Sequence, residues 1–282
     1  MFDLAPNLTD LRPGVGAFLP IALAFIALEF GYARLAAHDR EEHFDTRETM
    51  ASIGVAIGNL AARILTSGIA AVPFLFLYQN RLFDIPLDKW WTIALLFLGV
   101  EFCYYWFHRA SHHIRWFWAT HAVHHSATKF NLSAAIRLGW TGQLTGAFIF
   151  FLPLAWIGFH PLAIVGTIGL GLLYQFFLHT HLDISLGPLE WVLNTPRHHR
   201  VHHACNDGYL DRNFGSVLIV FDRLFGTFAT APENERLVYG IKGGQISNNP
   251  MKIALGEWVT LIRDVRAASG INNKLKTFIS PP

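Results

Sequence analysis

Two short stretches of this sequence hold ten of its fifteen histidines, at the spacing of a helix face. The first reads His108-Arg-Ala-Ser-His112-His113 and then His121-Ala-Val-His124-His125. The second reads His198-His199-Arg-Val-His202-His203. His108 and His112 are i,i+4 and share one face of a helix. His121, His124 and His125 form an i,i+3,i+4 set, and His199, His202 and His203 repeat it. A single H-x-x-x-H pair arises easily by chance, but three clusters, two of identical spacing, do not. Imidazoles packed this closely repel when protonated and waste hydrogen-bonding capacity when neutral unless they share a task, and the common shared task of neutral imidazole is metal ligation.

The elements that must position them are set by an apolar composition. Of 282 residues, 52% are hydrophobic and 15% charged, against a usual charged share of about 25%. The mean hydropathy is +0.32, which points to a membrane protein. The net charge of +2 and the lack of a basic stripe argue against a nucleic-acid partner. Cys103 and Cys205 are isolated, which excludes a Cys-rich metal site and a disulfide scaffold. Met1 to Pro13 is polar without a basic start and does not read as a cleavable signal.

Five apolar runs follow: Val15 to Leu35, Ile53 to Leu77, Trp90 to Phe107, Gly139 to Phe159 and Leu162 to Leu178. A span needs roughly 20 such residues. The third run leads directly into His108. The fourth and fifth, split by His160-Pro161, read as a tight helical hairpin that brings His179 back to the side of the other histidines. Ala36 to Met50, with His38 and His43, reads as a solvated loop. Pro250 to Ala268 reads as an amphipathic helix, packed against the domain in preference to the membrane surface. Arg34, Arg40, Arg47, Arg109, Arg115, Lys129 and Arg137 flank the histidine side, against Arg12, Arg81 and Lys89 opposite, so the histidine side is expected in the cytoplasm. The expected fold is all-α, an integral membrane helical bundle with a cytoplasmic His-rich helical cap. Residues 1–94 supply N-terminal spans, 95–228 the histidine domain with its membrane hairpin, and 229–282 a C-terminal cytoplasmic segment.

With His179, nine imidazoles become available, which suits two metals with four or five nitrogens each. Imidazole accepts zinc, copper, iron or nickel, so ligand type alone does not choose. Iron at the mouth of a helix bundle, facing both water and lipid tails, suits dioxygen chemistry on an unactivated C–H bond.

The three histidine motifs, at these positions relative to the spans, resemble the membrane fatty acid hydroxylase/sterol desaturase superfamily. Leu173-Tyr-Gln-Phe-Phe-Leu-His-Thr, Leu186-Gly-Pro-Leu-Glu-Trp, Asn194-Thr-Pro-Arg-His-His-Arg-Val-His-His and Phe221-Asp-Arg-Leu-Phe-Gly-Thr-Phe are most similar to its alkylglycerol monooxygenase branch and bacterial relatives. The resemblance covers about Leu95 to Phe228. It implies a non-haem di-iron oxygenase that hydroxylates a lipid (ether lipid, fatty acyl or sterol-like) with O2. It implies His108, His112, His121, His124, His125, His179, His199, His202 and His203 as ligands, with His198 a tenth candidate, as ligand or in support. His113 and His181 match no ligand position. Electrons are expected from an external redox partner, a tetrahydropterin or a cytochrome or ferredoxin, because the chain shows no Cys cluster and no Gly-rich dinucleotide fingerprint. Asp183, Asp207 and Asp211 are candidates to orient imidazole N–H groups.

Two other classes compete. A zinc-dependent membrane hydrolase needs a general base such as the glutamate of H-E-x-x-H, and the first pair encloses only Arg-Ala-Ser. A metal carrier needs polar residues through the spans, where only Glu29, Arg63 and Glu101 qualify. Desaturation shares hydrogen abstraction with hydroxylation and is the nearest rival within the oxygenase class. A carboxylate inside a span is costly unless it is bonded, so Glu101 is expected to pair with Arg63 or, second, with a ligand imidazole.

Overall fold

The computed structural model describes residues 12–36, 44–182, 184–232, 235–244 and 246–282. The polar segment from Met1, the His38–His43 stretch and Asp183 fall outside the described residues. The described residues form helices without a sheet. In chain order they are α1 (Arg12–Ala36), α2 (Thr46–Gln79), α3 (Trp90–His113), α4 (Arg115–His125), α5 (Leu132–Ala135), α6 (Leu152–Ile157), α7 (Pro161–Leu178), α8 (Pro196–His203), α9 (Val220–Phe225), α10 (Pro250–Ala267) and α11 (Ile271–Ile279). Three of them, α2, α3 and α7, are long and apolar enough to cross a membrane.

Their outer surfaces are mostly hydrocarbon. Ile57, Leu60, Ile64, Leu65, Ile69 and Val72 of α2 are exposed, as are Ile93, Leu95, Leu98 and Phe102 of α3. The inner faces meet in one core of Phe74, Leu96, Val100, Tyr104, Phe151, Leu154, Ala155, Phe159 and Ile164. The α2 helix begins at Asp45, whose carboxylate accepts the Arg47 N–H at 2.7 Å, so its first turns lie inside what the sequence presents as a solvated loop. Glu48 on that turn is buried and accepts the N–H and hydroxyl of Thr128 at 2.7 and 2.6 Å. Arg137 is also buried, donating to Ser52 Oγ and Ser126 Oγ at 3.1 Å each. These bonds satisfy groups that would otherwise be costly to bury, and they fix the link that follows α4.

The fourth apolar run departs from expectation. Gly139 is irregular, residues 140–146 are turns, Ala147–Phe151 is a 3-10 helix and only Leu152–Ile157 is α-helical. The run still reaches the far end of the fold, where Leu82 and Phe83 donate to the carbonyls of Trp156 and Ile157 at 2.8 and 3.1 Å. Side chains replace the missing helical bonds. Asn59 donates to the Gly139 carbonyl at 2.7 Å, Trp116 to the Thr145 carbonyl at 3.0 Å, and Trp140 to the Val55 carbonyl at 2.9 Å. Irregular backbone is tolerated at membrane depth where protein satisfies it in this way. Trp140 seats directly over Gly58, where a Cβ would fall 2.2 Å from the indole. Hydropathy registers how apolar this run is and misses the carbonyls at Gly139 and Thr145 that Asn59 and Trp116 satisfy.

The α10 helix forms as expected and lies along α4. Trp258 packs edge-on against Trp116, Arg115 pairs with Asp264, and Leu261 is buried. In α11, Phe278 rests on the same Trp116. Together they brace α4 from the side away from its histidines.

Candidate metal centre

Nine of the ten candidate histidines converge where α3, α4, α7 and α8 end, in two groups. His108, His112, His121, His125 and His202 form one, and His124, His179, His199 and His203 the other, with the ligand atoms of each group within 4.8 Å of one another. The groups adjoin, since the His125 ring stacks on His203 with centroids 4.4 Å apart.

The two H-x-x-H-H motifs serve these groups in opposite senses. Residues advance about 100° per position around a helix, so i and i+4 nearly align and i+3 is turned aside. On α4 the outer pair, His121 and His125, faces the five-histidine group while His124 faces the four-histidine group. On α8 the outer pair, His199 and His203, faces the four-histidine group while His202 faces the five. The first group is completed by His108 and His112 of α3, the second by His179 alone, at the C-cap of α7.

The proton positions follow from the partners. His108 Nδ1–H donates to the Phe214 carbonyl at 2.8 Å, His202 Nδ1–H to the Arg212 carbonyl at 2.8 Å, and His179 Nδ1–H to the Gln175 carbonyl at 2.7 Å. A carbonyl only accepts, so each of these rings turns a bare Nε2 lone pair inward. His108 Nε2 lies 3.0 Å from His121 Nε2, and His179 Nε2 lies 3.1 Å from both His124 Nε2 and His199 Nε2. The Nε2 atoms of His112, His202 and His203 are buried without a hydrogen-bond partner among the described residues. Converging lone pairs without protons repel unless a cation lies among them. Metal–nitrogen bonds of about 2.1 Å at right angles would separate neighbouring donors by about 3.0 Å. The donor set therefore fits a metal in each group. Desolvation first, then neighbouring imidazoles, push His199 and His203 well below the ordinary histidine range, so they are neutral at pH 7 and competent to ligate.

The remaining candidates are placed differently. His198 belongs to neither group, and its ring lies against Phe228 at 5.2 Å. Burial above all pushes it down to about 4. His113 Nδ1–H donates to the Arg109 carbonyl at 2.9 Å, and His181 packs edge-on against Phe130 and Tyr239. Of the acids, Asp211 accepts His112 Nδ1–H at 3.3 Å, whereas Asp207 is exposed and pairs with Lys242. Neither expected partner of Glu101 is found. Arg63 is exposed on the outside of α2, and Glu101 accepts the backbone N–H groups of Val217 and Leu218 at 2.9 and 2.7 Å. Backbone donors satisfy the buried carboxylate as well as a cation would.

Sequence reasoning alone does not single out Gln175, Phe130 or Asp222. Phe130 is buried and stacks on His179 at 5.4 Å and on Tyr239 at 5.0 Å, walling the four-histidine group. The available signal for Gln175 and Asp222 is a polar residue inside an otherwise apolar run.

Comparison with known proteins bears on this geometry. Residues 93–227 match the model of the fatty acid hydroxylase family. Alkylglycerol monooxygenase from Xenopus tropicalis is 37% identical over 234 residues, covering 83% of this chain and 52% of the relative, and that from Homo sapiens is 37% identical with the same coverage. Ornithine lipid hydroxylase from Rhizobium tropici is 32% identical over 160 residues, 55% of this chain and 48% of the relative. The chain thus spans about half the length of these relatives. No solved structure matches it.

Proposed function

We propose that the chain, whose residues 93–227 match the model of the fatty acid hydroxylase family, is a member of that family and an integral membrane di-iron lipid monooxygenase. The observation that carries the reading is the pair of adjoining histidine groups at one end of helices long enough to span a bilayer. His108, His112, His121, His125 and His202 would hold one iron, and His124, His179, His199 and His203 the other. His198 stands beside them in support. When bound, the iron pair supplies activation of dioxygen for insertion of oxygen into a C–H bond, with electrons from an external donor such as a tetrahydropterin, a cytochrome or a ferredoxin.

The protein's own contribution is to hold nine neutral imidazoles in a dry cage. Backbone carbonyls fix the tautomers of His108, His179 and His202, and Phe130 and Phe214 exclude water from the ring edges. The histidine groups lie where the membrane-length helices α3 and α7 end, so a lipid would present its chain from the bilayer there while its polar groups stay in water. On this reading residues 95–228 form the di-iron domain, 1–94 supply preceding spans and 229–282 a cytoplasmic segment.

The names of the relatives favour an ether lipid as substrate. Hydroxylation of the carbon next to the ether oxygen gives a hemiacetal, which collapses to an aldehyde and a glycerol. On a fatty acyl chain the product is a stable alcohol. Purified protein given an ether lipid, a reduced tetrahydropterin and 18O2 is expected to release labelled aldehyde. An alkene, with label only in water, would identify a desaturase, and unaltered lipid from iron-loaded protein given each donor class would contradict the reading. The histidine side is assigned to the cytoplasm, so reporter fusions after Leu138 and after His181 should both report cytoplasm, and a signal from the opposite side at either would overturn that assignment.

A further inference from the structure

The stretch Phe221-Asp-Arg-Leu-Phe-Gly-Thr supplies no histidine to the metal centre, yet Asp222 is fully buried. Its Oδ1 accepts the Phe214 N–H and the Thr227 hydroxyl, each at 2.7 Å, and its Oδ2 accepts the Gly215 N–H at 2.7 Å. Glu101, from the middle of α3, treats the next residues in the same way through Val217 and Leu218. Four of the five backbone amides from 214 to 218 thus point at two buried carboxylates. Carbonyls of the same segment point at the histidines, where Phe214 holds His108 and Arg212 holds His202. The turn is tight enough to demand glycine at 215, where a Cβ would fall 2.2 Å from the Leu218 carbonyl.

We propose that Asp222 and Glu101 are positioning residues of the metal centre, orienting His108 and His202 by locking the Arg212–Leu218 backbone that carries their hydrogen-bond acceptors. This rests on the two-metal reading above. Neither acid belongs to either histidine group, and both Asp222 oxygens and Glu101 Oε2 are taken by amides and a hydroxyl. Asp222 and His108 share one peptide unit, whose Gly215 N–H bonds the carboxylate and whose Phe214 carbonyl bonds the imidazole. The Arg212–Asn213 unit that holds His202 is instead tied by the Asn213 N–H to the Thr227 carbonyl, and Glu101 anchors the far end of the segment. Hydrogen bonds linked in this way polarise one another. Both imidazoles held by the segment belong to the five-histidine group. The matching hold on His179 comes from the Gln175 carbonyl, a backbone acceptor fixed inside α7, and the segment reaches that residue only through its side chain, which donates to Ser216 Oγ at 2.9 Å. The consequence is one-sided, since loosening the segment should weaken one metal position and spare its neighbour.

The test uses the full chain in detergent or nanodiscs, stripped of metal and titrated with Co2+ while its visible spectrum is recorded. The wild type is expected to take up two Co2+ with separable spectra, assigned by His112→Ala for the five-histidine group and His124→Ala for the four-histidine group. Asp222→Asn turns an amide NH2 towards backbone N–H groups and should weaken Co2+ at the five-histidine group by about 10–100-fold, leaving the other unchanged. Glu101→Gln, which keeps an acceptor oxygen, should shift affinity the same way by less. Leu154→Ala, in the apolar core, lowers thermal stability without this selectivity and separates positioning from general destabilisation. If Asp222→Asn does not fold, Thr227→Val, which removes one of its three donors, should show a smaller shift at the same position. Equal weakening of both positions, weakening of the four-histidine group alone, or no change in a folded variant would overturn the proposal. A wild type that takes up fewer than two Co2+ would instead overturn the two-metal reading, and the positioning role with it.

Discussion

The five-histidine and four-histidine groups are built from the same parts in opposite proportion. Each takes a pair from one H-x-x-H-H motif and a single ring from the other. They differ in the third contribution, where α3 gives His108 and His112 to one while the end of α7 gives only His179 to the other. They also differ in what holds them. The five-histidine group leans on an irregular loop segment, whose carbonyls meet His108 and His202. The four-histidine group leans on a helix carbonyl and on the buried ring of Phe130. The difference teaches that a repeated motif need not build a repeated site. The scaffold around the motif leaves the second group one donor short of the first.

The sharpest way to break this comparison is on α8, where adjacent residues serve different groups. His202→Ala should lose the metal of the five-histidine group and His203→Ala that of the four-histidine group, each retaining about one metal per chain and losing at least about 100-fold in activity. Metal analysis with Co2+ spectra checks it, and loss of both metals from either variant would show that the groups are not separable. Next in size is Phe130→Ala. Truncating a fully buried phenylalanine should cost about 3–5 kcal/mol of stability, and metal should leave the four-histidine group first. Thermal unfolding and metal retention would show it, and earlier loss from the five-histidine group would contradict the assigned wall.

A smaller effect is expected far from either group. Gly58→Ala drives a Cβ into Trp140 and should cost about 1–3 kcal/mol through overpacking, while both metal affinities stay at wild-type values. A selective loss of metal there would mean that residues 139–157 help to shape the centre. The smallest concerns Asp211, which is half exposed and 3.3 Å from His112. Asp211→Asn should change stability by less than about 1 kcal/mol and barely disturb the five-histidine group in a Co2+ titration. A large loss would place Asp211 beside Asp222 as an organiser of that group.

Much of the centre is legible in the sequence because helical spacing alone puts His108 with His112, and His121 with His125, on shared faces. The return of His179 is legible because a second apolar run follows His160-Pro161. The division into five and four is not, because it depends on how α4 and α8 are rotated against each other, which only the folded packing fixes. The expected hairpin is half legible. Leu162 to Leu178 lies within one helix, but hydropathy cannot tell Gly139 to Phe159, an irregular run sustained by Asn59, Trp116 and Trp140, from a membrane helix. The partner of Glu101 escapes for a related reason. Sequence offers charged side chains as answers to a buried acid, while the amides of Val217 and Leu218 become available only once the loop is folded.

The most direct test of the central claim is the iron content of protein purified without chelator, read with Mössbauer spectroscopy after growth on 57Fe. The two unequal histidine groups predict about two irons per chain in two distinct environments of equal intensity. A single metal per chain, or one zinc in place of iron in protein that turns over lipid, would contradict it.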